Sequence, residues 1–190
     1  MNDNPYESLS HGLMVSKLWL CEELEKTLFE RYVAKVNVAV LGSWTNIIGL
    51  LMVTRNPRLY NKIYGYDIDK EAIMCADKIC DTWKFIEPNI YNIVLDANDV
   101  DFAYIDVVIN CSVEHMKESK WYDNIPEGTL VCLQSSNVDP NQHDWNIVNP
   151  NNSLHGLKQK YPLARVMYEG IKEIRYSHWG YDRYMVIGYK

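Results

Sequence analysis

The apolar residues of this chain form two kinds of run, and the two kinds alternate along the sequence. Short runs rich in β-branched residues predict buried strands over residues 36–41, 62–67, 89–96, 104–110 and 129–135. Stretches with apolar residues at three-to-four-residue spacing predict helices over 15–33, 46–54 and 70–83. The chain closes with two alternating runs joined by a short loop, which predict a hairpin of strands 164–174 and 182–190.

Alternating strands and helices are typical of a parallel sheet that is covered by helices on both faces. The closing hairpin makes the last strand antiparallel to the others. The sequence therefore predicts an α/β fold, a three-layer sandwich around a mostly parallel seven-stranded sheet with an antiparallel last strand. A length of 190 residues favours one main domain. We expect this domain over 36–190, preceded by an N-terminal cap or lid segment with a helix over 1–35.

The composition and charge of the chain disfavour some classes of binding partner. The net charge of −6 gives an acidic surface that repels phosphate backbones, and no cluster of Lys or Arg occurs, so no nucleic-acid partner is expected. No apolar run approaches the roughly 20 residues of a membrane span, and no signal peptide opens the chain. Five cysteines without a C-x-x-C pair indicate reduced thiols. These features predict a cytoplasmic protein without a membrane partner.

Each predicted strand ends in polar residues, although its body is apolar. Ligands of open α/β sheets bind beyond the carboxyl ends of the strands, so the polar ends mark the expected site. They are Gly42, Ser43 and Trp44 after the first strand, Asp67 after the second, Asp96, Ala97 and Asn98 after the third, Asn110 to His115 after the fourth, and Gln134 to Asn137 after the fifth.

The two aspartates favour a nucleoside ligand. Asp67 can accept hydrogen bonds from a ribose diol, and Asp96 can meet an adenine edge. Helix capping is the alternative role for an aspartate at a strand end. A dinucleotide is disfavoured because Gly42 is not followed by the Gly-x-Gly-x-x-Gly pattern, the next glycine being Gly49.

Several strings resemble the class I S-adenosylmethionine-dependent methyltransferases over residues 36–190. They are "VAVLGSW", "IYGYDIDKEAI", "LDANDVDF", "YIDVVIN", "IPEGTLVCLQS" and the closing hairpin. "ESLSHG…SKLWL" and "NCSVEHM" are similar to a narrower group of small phage and bacterial proteins described as methyltransferases. The resemblance implies S-adenosylmethionine as the cofactor. It implies cofactor contacts from Gly42, Ser43, Trp44, Asp67, Ile68, Asp96, Ala97 and Asn110, with Ser10, His11 and Lys17 holding the cofactor carboxylate or the substrate.

Trp44 departs from the glycine-rich first loop that is usual in this family. S-adenosylmethionine has no pyrophosphate, and its sulfonium cation is attracted to the face of an indole ring. We expect Trp44 near the sulfonium or on the methionine chain, with core packing as the alternative.

The segment after the fourth strand carries the candidate catalytic residues Asn110, Glu114 and His115, because the family places substrate-facing residues there. His115 has a side chain suited to proton transfer near neutral pH. Glu114 could orient His115 or bind a substrate amine, or both residues could open a helix as solvated first-turn residues. Residues 6–12 are expected to be a lid or, as the alternative, an uninvolved tail, and the loop 141–146, which includes His143, is a second possible lid. No metal site is expected, because the cysteine and histidine spacing does not fit one.

The resemblance implies methyl transfer as the activity. A small-molecule acceptor is expected, since the sequence shows no inserted recognition domain. The alternatives are a lyase that cleaves S-adenosylmethionine without a second substrate, a non-catalytic binding module, and, less favoured, a nicotinamide enzyme. Fold alone does not decide among these functions. The acceptor and the oligomeric state are left open.

Overall fold

The computed structural model describes residues 9–30, 34–81, 90–141 and 146–190 of the chain. The strands in these ranges are β1 (Val36–Leu41), β2 (Tyr60–Asp67), β3 (Ile90–Val94), β4 (Val107–Asn110), β5 (Leu130–Ser136), β6 (Arg165–Arg175) and β7 (Gly180–Tyr189). The helices are α1 (His11–Phe29), α2 (Ile47–Arg55), α3 (Lys70–Asp81), α4 (Lys120–Asn124) and α5 (Leu154–Lys160).

All seven strands belong to one sheet in the order β3-β2-β1-β4-β5-β7-β6. Strands β1 to β5 pair in parallel, and β7 runs antiparallel to both β5 and β6. The predicted α/β sandwich with an antiparallel last strand is therefore confirmed. In the register, Leu41 of β1 pairs with Tyr66 of β2 and with Asn110 of β4. The carboxyl ends of these three strands are thus level, which brings the loops that follow them together.

Both faces of the sheet are covered, as the uninterrupted apolar runs predict. Successive residues of β1 alternate between two apolar clusters, one on each face. Val38 and Val40 pack with α1 and α2, whereas Ala39 and Leu41 pack with residues of α4 and α5. None of these four side chains is more than 2% exposed, so β1 is the centre of the core.

Helix α1 is a structural layer of the fold. It begins at His11, earlier than the expected position 15, and its side chains Leu20 and Leu24 are fully buried against the sheet. Ser16 fixes its position, because its hydroxyl donates to Gln134 Oε1 of β5 at 2.9 Å and its carbonyl accepts from Gln134 Nε2 at 3.0 Å. Residues 1–8 of the expected lid lie outside the described residues.

The fourth strand is shorter than expected and begins at Val107 instead of residue 104. The preceding residues form a turn in which Ile105 N donates to the Phe102 carbonyl at 3.0 Å, and Tyr104 is 85% exposed. The short helices α4 and α5 were not predicted. Within the described ranges, no helix has the length and apolar character needed to cross a membrane.

Candidate functional site

The loop that follows β1 has an unusual backbone. Gly42, Trp44 and Asn46 all adopt left-handed conformations, with φ of 59°, 49° and 48°. A bulky residue such as Trp44 adopts this conformation only when its surroundings compensate for the strain, which is of order 1–3 kcal/mol. Such strain in a loop at the carboxyl edge of a parallel sheet is typical of a functional site.

Asp67 supplies part of that compensation. Trp44 N donates to Asp67 Oδ2 at 2.7 Å, and Asp69 N donates to Asp67 Oδ1 at 2.9 Å. Burial raises the pKa of the Asp67 carboxyl, which these backbone donors lower in turn. Each carboxylate oxygen has a second lone-pair site. Asp67 can therefore hold the first loop and still accept hydrogen bonds from a ligand.

Asn46 is a residue of the site region that the sequence reading did not single out. It is fully buried, its Oδ1 accepts from Gly49 N at 3.2 Å, and its Nδ2 donates to Asn92 Oδ1 at 2.8 Å. Gly65 of β2 makes room for it, since a Cβ there would lie 2.4 Å from Asn46 Nδ2. The available signal was an asparagine directly before an apolar helical run, which is a typical N-cap pattern.

Trp44 is half-buried and belongs to none of the apolar clusters that the described residues form. The alternative of core packing is therefore wrong for Trp44. Its position near the sulfonium stays a prediction.

The two strand-end residues Ile68 and Asp96 are exposed. Ile68 directly follows Asp67 and is 72% exposed, which is rare for an isoleucine. Asp96 Oδ1 accepts from Asn98 N at 2.8 Å and so caps the 3₁₀ helix Ala97–Asp99, in which Ala97 is buried. The structure thus gives Asp96 the capping role, and its contact with adenine stays a prediction.

The loop after β4 packs tightly on the loop after β1. Ser112 Oγ donates to the Gly42 carbonyl at 3.1 Å, and a Cβ at Gly42 would lie 3.0 Å from both Ser112 Cβ and Met116 Cε. Asn110 is fully buried, accepting from Ser112 N at 2.9 Å and donating to Met116 Sδ at 3.2 Å. The side-chain amide of Asn110 therefore stabilises the conformation of the loop after β4.

Glu114 is buried, so its expected alternative as a solvated first-turn residue is wrong. Its side chain is 4% exposed and forms an ion pair of 2.6 Å with Arg183 Nη1 of β7. Arg183 Nη2 also donates to the Cys111 carbonyl at 2.5 Å, and Ser136 Oγ donates to Glu114 Oε1 at 3.3 Å. The ion pair thus joins the β4 loop to β5 and β7.

Arg183 was missed by the sequence reading, although a signal existed. It shares one face of β7 with Tyr181, Met185 and Ile187, which are all buried. An arginine on an apolar face requires a buried counter-charge.

His115 is exposed, and its Nδ1 lies 3.3 Å from the Asn146 carbonyl. The expected orientation of His115 by Glu114 is not observed among the described hydrogen bonds, because the Glu114 carboxylate is directed inward to Arg183. His143 lies outside the described residues. The part of the chain that is described contains no group of three His, Cys, Asp or Glu side chains arranged for a metal ion.

The candidates from the N-terminal segment lie on the first turns of α1. Ser10 precedes the helix without a side-chain capping bond, and the His11 ring stands edge-on to Tyr176 with 6.1 Å between ring centres. Lys17 is half-buried, and burial lowers its pKa to about 8. The structure therefore separates exposed Ser10 and His11 from Lys17, whose surroundings disfavour a positive charge.

No protein-family model matches the sequence, and the search of curated proteins gives no match either. The structure, in contrast, is similar to many solved structures. The YcgJ protein from Bacillus subtilis has a TM-score of 0.64 at 13% identity, covering 89% of this chain and 98% of that one. Magnesium protoporphyrin IX methyltransferase from Synechocystis, solved with bound S-adenosylmethionine, has a TM-score of 0.64 at 10% identity, covering 92% and 80%.

An rRNA methylase from Streptococcus thermophilus is also similar, with a TM-score of 0.56 at 14% identity, covering 100% of this chain and 99% of that one. At such low identity the likeness concerns the fold alone. The chain has the fold of the class I S-adenosylmethionine-dependent methyltransferases, as its sequence strings implied.

Proposed function

We propose that the chain binds S-adenosylmethionine at the carboxyl edge of its sheet and transfers the methyl group to a small-molecule acceptor. The observation that carries this proposal is the strained first loop, in which Trp44 is held by Asp67 next to the exposed Ile68. A strained turn, a partly buried carboxylate and an exposed aliphatic side chain supply in one place what a nucleoside with a cationic substituent requires.

Each contact has a chemical reason. Asp67 retains lone pairs for the hydroxyl groups of the ribose. The exposed Ile68 offers apolar surface to the adenine ring, and Asp96 remains the proposed partner of its amino group. The half-buried Trp44 ring offers a face to the sulfonium, an attraction that strengthens as water is excluded. The backbone of Gly42 and Ser43 lies beside the methionine part.

Methyl transfer is an in-line displacement on a carbon that the sulfonium already activates. Alignment of the acceptor and exclusion of water therefore supply most of the acceleration. In this chain, alignment would come from the β4 loop, which Ser112 ties to Gly42 and which the Glu114–Arg183 pair ties to β7. A small acceptor agrees with the sequence, which predicts no inserted recognition domain over 36–190.

The test is incubation of the protein with S-adenosylmethionine, first alone and then with pools of small hydroxyl, amine and carboxylate compounds. Mass spectrometry is expected to find S-adenosylhomocysteine and one methylated compound only when an acceptor is present. Methylthioadenosine with homoserine lactone from the cofactor alone would identify a lyase and contradict the proposal. Recovery of intact cofactor from every mixture would favour the alternative of a non-catalytic binding module.

Replacement of Asp67 by alanine is expected to weaken binding of S-adenosylhomocysteine by about 1.5–3 kcal/mol, the range for a hydrogen bond to a charged group. The loss includes release of the Trp44 backbone, which Asp67 holds at 2.7 Å. Titration calorimetry measures the effect.

The matched control is Asp69→Ala. Asp69 Oδ1 caps α3 by accepting from Glu71 N at 2.8 Å, and it does not contact the first loop in the described hydrogen bonds. This variant should lose about 1 kcal/mol of stability and retain its ligand affinity. Equal affinities of the Asp67 and Asp69 variants would remove Asp67 from the site.

Double-stranded DNA and RNA are expected not to bind at physiological salt. Non-specific affinity depends on Lys and Arg side chains that displace counterions, and this chain carries a net charge of −6. The similarity to an rRNA methylase makes this prediction worth testing. A gel shift that weakens as salt is raised would redirect the search for an acceptor to nucleic acids.

A further inference from the structure

The side chain of Asn46 is seated in a gap that two glycines leave open. A Cβ on Gly65 of β2 would lie 2.4 Å from Asn46 Nδ2, and a Cβ on Gly49 of α2 would lie 2.7 Å from Asn46 Oδ1. Cβ atoms do not approach other atoms so closely, so alanine at either position would displace the amide. We call this gap, which is bounded by Gly49, Gly65 and Asn92, the amide socket.

Both ends of the Asn46 amide are hydrogen-bonded inside the amide socket. Its Oδ1 accepts from Gly49 N at 3.2 Å, and its Nδ2 donates to Asn92 Oδ1 of β3 at 2.8 Å. Asn92 Nδ2 donates in turn to Asp77 Oδ1 of α3 at 3.0 Å. The amide therefore joins the loop after β1 to β3 and α3. Because Asn46 is 0% exposed, it holds this loop from inside and does not reach the open side of the candidate site.

The turn that the amide socket holds is the one that carries Trp44. Asn46 N donates to the Ser43 carbonyl at 2.8 Å, which closes a turn with Trp44 and Thr45 at its centre. Trp44 and Asn46 both have left-handed backbones, which persist only when several contacts hold them. Asp67 holds the start of the turn through Trp44 N at 2.7 Å, and the amide socket holds its end. The backbone of Trp44 is thus fixed from both sides.

We propose that Asn46 is a positioning residue of the cofactor site, whose amide directs the Trp44 ring toward the sulfonium of S-adenosylmethionine. This inference rests on the proposed function. Its chemical consequence is selectivity between two ligands that differ in charge. S-adenosylmethionine carries a sulfonium cation, whereas S-adenosylhomocysteine has a neutral thioether in its place. The face of an indole ring attracts the cation, so the amide socket favours the substrate form of the cofactor over its product.

A purely structural role of Asn46 gives a different expectation. Asn46 also caps α2, because its Oδ1 accepts from Gly49 N. Loss of a cap lowers the stability of the fold. It weakens the binding of both ligands equally, because a helix cap does not distinguish a charged sulfur from a neutral one. The ratio of the two affinities therefore separates positioning from capping.

The test compares the unaltered protein with Asn46→Gly and Gly65→Ala. Glycine adopts a left-handed backbone without strain, so Asn46→Gly removes the amide and still permits the turn. Gly65→Ala retains Asn46 and fills its socket. Calorimetry measures the dissociation constants of S-adenosylmethionine and S-adenosylhomocysteine. In both variants, affinity for S-adenosylmethionine relative to S-adenosylhomocysteine should fall by about 3–10-fold, which corresponds to the loss of a cation–π attraction.

Asn61→Ala is the matched control. Asn61 Nδ2 donates to Asn37 Oδ1 at 2.8 Å, the length of the bond in the amide socket, but this pair joins β1 and β2 near their amino ends. The affinity ratio of this variant should stay within about twofold of the unaltered protein. Trp44→Leu should lower the ratio as Asn46→Gly does. The double variant should show no further fall, because the two residues act through one contact.

An unchanged ratio in Asn46→Gly and Gly65→Ala would reduce Asn46 to a helix cap and overturn its positioning role, while the proposed function stands. Gly65→Ala decides alone if Asn46→Gly does not fold. A ratio that falls in Asn46→Gly but not in Trp44→Leu would show that the effect does not pass through Trp44, which also overturns the proposal. Failure of the unaltered protein to bind either ligand would instead overturn the proposed function, and the role of Asn46 with it.

Discussion

Replacement of Glu114 by glutamine is expected to lower the free energy of unfolding by about 3–5 kcal/mol, because it leaves a buried cation without its counter-charge. The side chains of Glu114 and Arg183 are 4% and 7% exposed, and their closest atoms are 2.6 Å apart. Glutamine has nearly the same shape as glutamate, so the variant changes the charge and little else. Urea denaturation followed by circular dichroism measures the loss.

A double variant separates the charge from the packing. Glu114→Gln combined with Arg183→Met removes both charges, and replacement of both partners of a buried pair is often neutral or stabilising. The double variant should therefore be more stable than Glu114→Gln alone.

The matched control is the exposed pair of Lys158 and Glu169, with side chains 36% and 44% exposed. Glu169→Gln should cost less than about 1 kcal/mol. Equal losses in Glu114→Gln and Glu169→Gln would contradict the buried pair.

The same ion pair determines how firmly the β4 loop is held. The Glu114 carbonyl accepts from Val148 N and from Asn149 N, both at 3.0 Å, so this residue also fixes the segment after β5. Amide exchange at these two positions should accelerate in Glu114→Gln, because local opening governs exchange. Glu114 therefore links the buried ion pair to the position of two loops, the one after β4 and the one after β5.

The fold class was largely predictable, because the types of the longer strands and helices follow from patterns that are local in sequence. The apolar run of β1 and the alternating pattern of β7 identify both as strands. The observed bounds of these strands agree with the predicted ones within two residues. The prediction missed the shorter elements for a physical reason. Helices α4 and α5 have five and seven residues, which is too short for a helical period to show. The fourth strand was predicted to begin too early, because the turn before it contains apolar residues such as Ile105.

The site was predictable only at the strand ends. Gly42 and Asp67 follow from their place after buried runs, whereas their contacts depend on partners that are distant in sequence. Arg183 reaches Glu114 across 69 residues, and Gln134 reaches Ser16 across 118. No local pattern encodes such a pair. An isolated charge in a buried strand predicts that a partner exists, but it does not identify the partner.

Lys17→Met is expected to raise the free energy of unfolding at pH 7, an unusual direction for a single substitution. In the folded protein the pKa of Lys17 is lowered from 10.5 to about 8 by burial, followed by the effect of Arg183. Below pH 8 the amine is charged in both states, so the folded state carries the full penalty of holding that charge. The difference corresponds to roughly 3 kcal/mol at most, and we expect a gain of about 1–3 kcal/mol.

The pH dependence has a definite sign. Between pH 8 and 10.5 the unfolded chain binds the Lys17 proton and the folded protein does not, so the stability of the unaltered protein rises with pH in this window. Lys17→Met lacks this rise, and its advantage should shrink from pH 7 to pH 10. Denaturant titrations at both pH values measure the difference between the two proteins.

The exposed Lys62 is the control, since Lys62→Met should change stability by less than about 0.5 kcal/mol at either pH. A destabilised Lys17→Met, or an advantage that does not depend on pH, would mean that Lys17 holds its proton as an ordinary lysine does. If the expected gain is found, the partly buried lysine at position 17 lowers the stability of the folded protein.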